Sequence, residues 1–370
     1  MFEIFKEFYK GKKVLITGQT GFKGAWLSLL LHYLGAELIG IALEPRNNED
    51  LYNLLKLETK IKSNFCDIRN REKLREIILR EKPEIIFHLA AQSLVLDSYE
   101  DPYATFETNV LGTMNLLEAL KDSDMDTILL NITSDKCYEN NNVGRDFQEG
   151  DALGGLDPYS ASKAMVEILS KSYSHSFFSK SKIKACTVRA GNVIGGGDWA
   201  NNRLIPDIAR SIKAQQEILI RNPNSTRPWQ HVLEPLWAYA LLAFQYSENY
   251  DNLLKQDQQS FEHAWNIGPN SENVVPVKTL LDIFISNFND APDIIYGEES
   301  IKNHYEAKTL SLNSSKIKSY FGWEPRLSLA ESINMTASWY RAYINNQDIE
   351  DFSIKQLEKF IELGVNSVHS

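Results

Sequence analysis

The sequence predicts an α/β protein, in which a doubly wound parallel sheet is followed by a smaller, mixed α/β C-terminal domain. Two observations lead to this prediction. Short apolar runs of strand length alternate with segments of helical period through the first half of the chain, which is the pattern of consecutive βαβ units. The chain is also 370 residues long, and a chain of that length favours two packed units over one.

The alternation can be followed element by element. KKVLITG (12–18) is a short apolar run that ends in glycine, and AWLSLLLHYLG (25–35) follows with a helical period and a glycine stop. The later segments repeat this order, with strands at 37–43, 84–91, 126–134 and 183–193, a short strand that ends at CDIR (66–69), and helices at 72–83, 109–122 and 158–177. Strands separated by such helices pair in parallel, with both faces of the sheet covered.

Composition and charge exclude several classes of partner. The formal net charge is -10, which argues against nucleic acid or an anionic membrane surface, because both attract a basic face. No stretch approaches the roughly 18 apolar residues of a membrane span. The three cysteines, Cys66, Cys137 and Cys186, are far apart and form no metal-binding motif. We therefore expect a cytoplasmic protein without a metal site.

A glycine loop follows the first predicted strand. In TGQTGFKG (17–24), Gly18, Gly21 and Gly24 are spaced three apart between a strand and a helix. The first glycine permits the tight turn, the second lets the backbone approach a pyrophosphate, and the third allows close helix packing. The loop, with Thr20, Phe22 and Lys23, predicts a dinucleotide site and a Rossmann-type sheet.

The ends of the next strands supply further cofactor residues. Glu44 would hydrogen-bond a free ribose and repel a 2′-phosphate, which favours NAD over NADP, although the nearby Arg46 weakens the argument. Asp67, beside Ile68, can hold the adenine amino group, cap the following helix, or do both. In LAAQS (89–93), the small residues Ala90 and Ala91, followed by Gln92, let the backbone pass close to the cofactor.

The segment DPYSASK (157–163) places Tyr159 and Lys163 four apart on a predicted helix, so both lie on one face. A phenol has an ordinary pKa of about 10, and a nearby ammonium group favours its ionised form. Tyr159 can then accept a proton from an alcohol while hydride leaves for the cofactor. Thr133 and Ser134, at the end of the preceding strand, can hydrogen-bond the reacting oxygen.

An acid and a base, Asp135 and Lys136, follow those hydroxyl residues directly. Simple alcohol oxidation needs neither. If the substrate is a hexose oxidised at C4, the ketone acidifies the C5 hydrogen. A base can then remove that hydrogen, while an acid protonates the C6 hydroxyl and water leaves. The pair therefore indicates dehydration as well as hydride transfer.

The motifs TSDKCYEN (133–140), DPYSASK, RAGNVIGGGDWANNRLIPD (189–207) and RPWQHVLEP (227–235) resemble the nucleotide-sugar 4,6-dehydratases, in the extended branch of the short-chain dehydrogenase/reductases. The resemblance runs from about Gly11 to about Tyr340. It implies a recycled NAD, and the Asp-Lys step is similar to the branch that acts on CDP-glucose, where dTDP-glucose relatives carry Asp-Glu. By that resemblance Asp135 is the C6 acid. Lys136 is either the C5 base or a stabiliser of the enolate charge.

The resemblance and the local pattern together suggest where the nucleotide sugar binds. Ser93 ends LAAQS, and Asn192 can hydrogen-bond the diphosphate. Arg203, Arg227 and His231 are candidates for nucleotide or phosphate contacts. Glu306, in NHYEAK (303–308), is expected to close the pocket from the C-terminal part. Gln19 and the stretch LVLDSYEDP (94–102) depart from the family pattern, and both departures bear on contacts with the nucleotide rather than on the reaction.

The expected domains are 1–195 with part of 228–260 for NAD, 196–227 with 261–345 for the substrate, and a C-terminal tail at 346–370. The resemblance implies that two long helices from each subunit pair, so a homodimer, or alternatively a tetramer, is expected through 103–122 and 158–177. The resemblance also implies that the reaction product is used in deoxysugar synthesis for surface polysaccharide, including lipopolysaccharide O-antigen. Two other interpretations stay open: another nucleotide-sugar dehydratase, epimerase or reductase of the same family, and a non-catalytic dinucleotide-binding regulator.

Overall fold

The structure is a computed structural model that describes residues 1–140, 144–220, 222–256, 263–297 and 310–366. Its strands are β1 (Lys13–Thr17), β2 (Glu37–Ala42), β3 (Ile61–Phe65), β4 (Ile85–His88), β5 (Thr127–Ile132), β6 (Ile183–Ala190), β7 (Val193–Ile194), β8 (Ile218–Ile220), β9 (Thr226–Pro228), β10 (Gln230–His231), β11 (Ala264–Ile267), β12 (Val274–Pro276) and β13 (Ile294–Tyr296).

The helices are α1 (Phe2–Tyr9), α2 (Phe22–Tyr33), α3 (Leu51–Leu54), α4 (Arg71–Glu81), α5 (Val95–Glu100), α6 (Pro102–Phe106), α7 (Gly112–Lys121), α8 (Pro158–Ser176), α9 (Leu204–Ala214), α10 (Leu233–Glu248), α11 (Tyr250–Gln256), α12 (Val277–Ile285), α13 (Ser315–Phe321), α14 (Leu329–Ile344) and α15 (Ile349–Asn366). A π-helical turn, Glu107–Leu111, joins α6 to α7. It occupies the start of the single helix that the sequence predicts at 109–122.

Seven strands form one sheet in the order β11-β6-β5-β4-β1-β2-β3, and every neighbouring pair is parallel. The chain runs outward from β1 to β3 and then returns to β4 on the other side of β1. This reversal is the switch point of a doubly wound sheet, where ligands bind beyond the strand ends. The predicted fold class is confirmed.

The two faces of the sheet pack against different helices. Val14 and Ile16 of β1 point into the larger core with α2 and α10, whereas Leu15 points into the second core with α4 and α7. This alternation follows from the two-residue period of a strand. The strands between these layers are buried on both faces, which explains their nearly continuous apolar sequence.

Two boundaries differ from the expected domains. Residues 264–267 were assigned to the substrate domain, but they form β11 and pair with β6 at the edge of the central sheet. Residues 346–370 were expected as a tail, but they contain α15, whose Leu357 and Phe360 are buried in the larger core. The acidic sequence of this segment hides an apolar stripe of helical period.

Candidate active site

A cleft with a volume of about 1690 Å³ runs along the C-terminal ends of the strands. Pockets for one small ligand measure roughly 300–1,000 Å³, so this cleft has room for two. The predicted residues that line it are Gly18, Thr20, Gly21, Phe22, Lys23, Gly24, Asp67, Ile68, Ala90, Ala91, Gln92, Ser93, Thr133, Ser134, Asp135, Lys136, Tyr159, Lys163, Asn192, Arg203 and Arg227.

The glycine loop between β1 and α2 is shaped to approach an anion. Gly18 has a φ of +78°, and a Cβ on Gly24 would lie 2.0 Å from the Gly18 carbonyl oxygen. Glycine at both positions lets α2 begin this close to β1. Gly21 is the N-cap of α2, so backbone N–H groups of the first turn are available to a pyrophosphate. These residues fit a dinucleotide such as NAD.

The ends of β1 and β4 are tied together beside this loop. The Thr17 hydroxyl oxygen accepts hydrogen bonds from the backbone N–H groups of Leu89 and Ala90, both at 3.1 Å. A Cβ on Gly18 would lie 2.9 Å from the Ala90 nitrogen. The small residues after β4 therefore let two backbone segments meet at the switch point, where the cofactor enters.

At the adenosine end, Asp67 follows β3. Its carboxylate accepts a hydrogen bond from the Arg69 side chain at 2.7 Å, and this bond holds the pKa of Asp67 below its ordinary value. The alternative role of Asp67 as a helix cap is wrong, because Asn70 caps α4 by accepting from the Lys73 N–H. Asp67 therefore presents an ionised carboxylate at this end of the cleft.

Glu44 is exposed on the segment after β2 and is not among the residues that line the cleft, although its neighbour Leu43 is. The lining here includes Arg46 and Asp50 instead. Arg46 donates to the Asp50 carboxylate at 2.9 Å, which offsets the positive charge that would attract a 2′-phosphate. The predicted contact of Glu44 with the ribose stays a prediction, and Asp50 is a lining residue that was not predicted from the sequence.

Tyr159 and Lys163 of α8 line the cleft together with Ser134, which follows β5. Helix α8 begins at Pro158 with Asp157 as its N-cap, and it carries Tyr159 and Lys163, whose exposed fractions are 7% and 6%. Burial raises the pKa of Tyr159 to about 12, while its hydrogen bond with Ser134 opposes the rise. Burial lowers the pKa of Lys163 to about 8. The Lys163 ammonium donates to the Ile132 carbonyl at 3.4 Å.

The structure separates the two neighbouring hydroxyl residues. Thr133 donates its hydroxyl proton to the Glu167 carboxylate. Ser134 instead bonds Tyr159 and donates to the Asp135 carboxylate at 2.9 Å. Both residues line the cleft, but Ser134 is the one that reaches the tyrosine hydroxyl.

The acid–base pair follows on a short 3-10 helix, Asp135–Cys137, capped by Ser134. Asp135 is 3% exposed. Burial raises its pKa, and the charges of Lys136 and Lys23 oppose that rise. Burial also lowers the pKa of Lys23 to about 8. A buried carboxyl group with a raised pKa is suited to hold a proton and give it to a leaving group.

The predicted substrate residues have different outcomes. Arg203 lines the cleft, donates to Asp198 at 2.9 Å, and lies 3.4 Å from the Ser93 hydroxyl. His231 does not reach the cleft, so its predicted contact is wrong. The ring is fully buried in β10, its Nδ1 accepts from the Leu233 N–H, and burial lowers its pKa to about 3. Glu306 lies outside the described residues.

A buried ion pair behind the site was not predicted from the sequence. Glu167 of α8 accepts from Arg189 of β6 at 2.7 Å, and their side chains are 2% and 4% exposed. A charged residue inside the apolar strand IKACTVRA was the available signal, because such a charge requires a partner. Within the described ranges, no group of acidic, histidine or cysteine residues could hold a metal ion.

Comparison with known proteins identifies the family. The family model described as GDP-mannose 4,6 dehydratase matches residues 15–336. A CDP-glucose 4,6-dehydratase from Salmonella typhimurium is 42% identical over 97% of this chain and 98% of its own length. Two solved structures share the fold. A Bacillus anthracis dTDP-glucose 4,6-dehydratase in complex with NAD has a TM-score of 0.71 and 21% identity, covering 93% of this chain and 100% of its own. A Thermotoga maritima UDP-glucose 4-epimerase with UDP-glucose has a TM-score of 0.74 and 21% identity, covering 90% and 99%. The chain therefore belongs to the GDP-mannose 4,6 dehydratase family.

Proposed function

We propose that the protein is a CDP-glucose 4,6-dehydratase, which converts CDP-glucose to CDP-4-dehydro-6-deoxyglucose and water with NAD recycled. The observation that carries the proposal is the placement of Asp135 and Lys136 in the same cleft as Ser134, Tyr159 and Lys163. An epimerase or reductase needs the last three residues but not the acid–base pair. The relative from Salmonella typhimurium, identical at 42% of positions, supports cytidine as the base.

In the first half of the reaction, Tyr159 accepts the proton of the C4 hydroxyl. Lys163, four residues on along α8, lies on the same helix face, and its ammonium charge stabilises the phenolate. Ser134 hydrogen-bonds the tyrosine oxygen and can bond the sugar oxygen beside it. When bound, NAD supplies the nicotinamide ring that accepts the hydride from C4 and later donates it to C6.

In the second half, Asp135 protonates the C6 hydroxyl so that water leaves. Its burial favours the protonated form that this role needs. Lys136 either removes the C5 proton or stabilises the negative charge that forms on the C4 oxygen. Asn192, Arg203 and Arg227 line the same cleft, where they can bind the diphosphate.

The proposed function is tested in three separate reactions, in which the protein together with NAD is incubated with CDP-glucose, dTDP-glucose or UDP-glucose. The 4-ketone product absorbs in alkali, so its formation can be followed directly. We expect product from CDP-glucose at a rate well above that from the other two nucleotide sugars. Equal rates with the three substrates would contradict the assignment of cytidine as the base. Formation of a C4 epimer without a ketone would show that the protein is an epimerase and not a dehydratase.

A homodimer, with tetramers as a further option, is part of the proposal. Large apolar side chains are exposed on α6 and α8, including Tyr103 at 76% and Ile168 at 58%. Because α6 and α8 pack against each other, exposed apolar side chains on both helices favour an interaction surface there. We expect Ile168→Lys to shift the protein toward monomer in gel filtration. A wild-type mass equal to one 42.2 kDa chain would contradict the dimer.

The domain assignment and location are proposals as well. We propose that the elements around the glycine loop bind NAD, while the segments after β6 that line the cleft bind the nucleotide sugar. A cytoplasmic location fits the three cysteines, which are free thiols, and supply of a deoxysugar for surface polysaccharide, including lipopolysaccharide O-antigen, fits the reaction. No helix among the described residues combines the length and apolarity of a membrane span.

A further inference from the structure

Tyr138 follows the 3-10 helix Asp135–Cys137 directly, and its side chain is 2% exposed. Its hydroxyl group donates to Asn266 Oδ1 at 2.7 Å and accepts from Arg189 Nη1 at 2.7 Å. The ring stacks on Phe147, with centroids 4.8 Å apart and planes inclined by 14°. The two hydrogen bonds therefore fix the hydroxyl group of Tyr138, and the stacking contact fixes the face of its ring.

The partners of this hydroxyl group are themselves fixed. Arg189, in β6, is paired with Glu167 at 2.7 Å and donates to the Glu149 carbonyl at 2.9 Å. Asn266, in the neighbouring strand β11, donates its backbone N–H to Glu149 Oε1 at 2.9 Å. Two strands of the central sheet thus determine where the Tyr138 ring lies, and the ring determines where the preceding turn ends.

The turn has a second anchor at its other end. The Thr133 N–H donates to the Val188 carbonyl at 2.9 Å, and the Thr133 hydroxyl bonds Glu167. Asp135 and Lys136 lie between this anchor and Tyr138. Ser134 lies next to the upstream anchor, so its position depends least on Tyr138.

We propose that Tyr138 is a positioning residue for the elimination step, which holds Asp135 and Lys136 at the distance from the sugar that their proton transfers need. The proposal rests on the proposed function. The proposal predicts that loss of Tyr138 affects the two halves of the reaction differently. Tyr159 and Lys163 are positioned by α8, whereas Asp135 and Lys136 are positioned by the turn that Tyr138 ends. A displacement of a catalytic group by about 1 Å can cost about a hundredfold in rate.

The test is Tyr138→Phe, which removes both hydrogen bonds of the hydroxyl group and keeps the stacked ring. We expect the C4 oxidation rate to change by less than about twofold and elimination to slow by about tenfold or more, since a hydrogen bond to a charged group is lost. Reduced nicotinamide should then accumulate during turnover. In the protein without ligands, amide hydrogen exchange should rise in the peptide over 134–140 and stay unchanged in α8.

Tyr9→Phe is the matched control, because Tyr9 is also buried and donates one hydrogen bond, to the Ala240 carbonyl at 2.9 Å, far from the cleft. It should lower thermal stability without changing the ratio of reduced nicotinamide to product. Phe147→Leu, which loosens the stack, should reproduce the Tyr138→Phe ratio more weakly. If Tyr138→Phe slows oxidation and elimination equally, the residue is only structural and the proposal is overturned. If wild-type protein makes no 4-ketone, the proposed function fails instead.

Discussion

The hydroxyl groups of Thr133 and Ser134 have different partners, so substitution of the two residues should have different effects on activity and stability. Ser134→Ala removes the hydroxyl group that bonds Tyr159, whereas Thr133→Val removes one that bonds Glu167. Because a hydrogen bond to an ionised group contributes about 1.5–3 kcal/mol, Ser134→Ala should lower kcat by about 10- to 100-fold. Ser134→Thr keeps the hydroxyl group and should retain most of the activity.

Thr133→Val should act on stability. Glu167 keeps two donors after this change, Thr187 at 2.7 Å and Arg189 at 2.7 Å, so its charge stays paired. We expect a loss of about 1–3 kcal/mol in the free energy of unfolding, with kcat changed by less than about threefold.

The assay for both sets of variants is the rate of 4-ketone formation at saturating CDP-glucose and NAD, together with urea unfolding of each variant. We expect a fall in kcat for Ser134→Ala and a fall in the free energy of unfolding for Thr133→Val. If Thr133→Val loses as much kcat as Ser134→Ala at equal folded fraction, the assignment of the hydroxyl group is refuted.

Three further predictions concern other parts of the chain. Lys136→Met should abolish most product formation while C4 oxidation continues, and C5 exchange with solvent deuterium at the wild-type rate would show that Lys136 is not the base. Gly24→Ala should weaken NAD binding measured by calorimetry, since its Cβ would lie 2.0 Å from the Gly18 carbonyl oxygen; unchanged affinity would contradict the loop geometry. Burial raises the pKa of Glu234 from 4.5 to about 7. The folded state therefore binds this proton more tightly, and stability falls as the pH rises through that window. Glu234→Gln should flatten the dependence of Tm on pH there, and an unchanged slope would assign it to other groups.

The fold and the centre of the site follow from local sequence patterns. Glycines spaced by three after an apolar run require a tight βα turn, and residues four apart on a helix share a face whatever surrounds them. Gly18, Gly21, Gly24, Tyr159 and Lys163 could therefore be placed from the sequence. The parallel sheet then brings the end of β5 beside them, which accounts for Asp135 and Lys136.

The residues whose positions or contacts could not be predicted from the sequence are those that depend on contacts between distant segments. β5 is buried on both faces, so the alternation of apolar residues does not tell whether Thr133 or Ser134 faces Tyr159. His231 in RPWQHVLEP is a candidate for a nucleotide or phosphate contact, but it lies in β10, which pairs with β7, and its side chain is fully buried. The partner of Arg189 is Glu167 on a different element, and no pattern within one segment reveals such a contact.

The proposed reaction requires that the hydride removed from C4 returns to C6 after water leaves. The most direct measurement is the fate of deuterium from CDP-[4-²H]glucose, followed by NMR and mass spectrometry of the product. We predict a 4-keto-6-deoxy sugar with the deuterium in its C6 methyl group and one solvent-derived hydrogen at C5. Deuterium found at C4 of an epimerised sugar, or lost without a C6 methyl group, would contradict the claim.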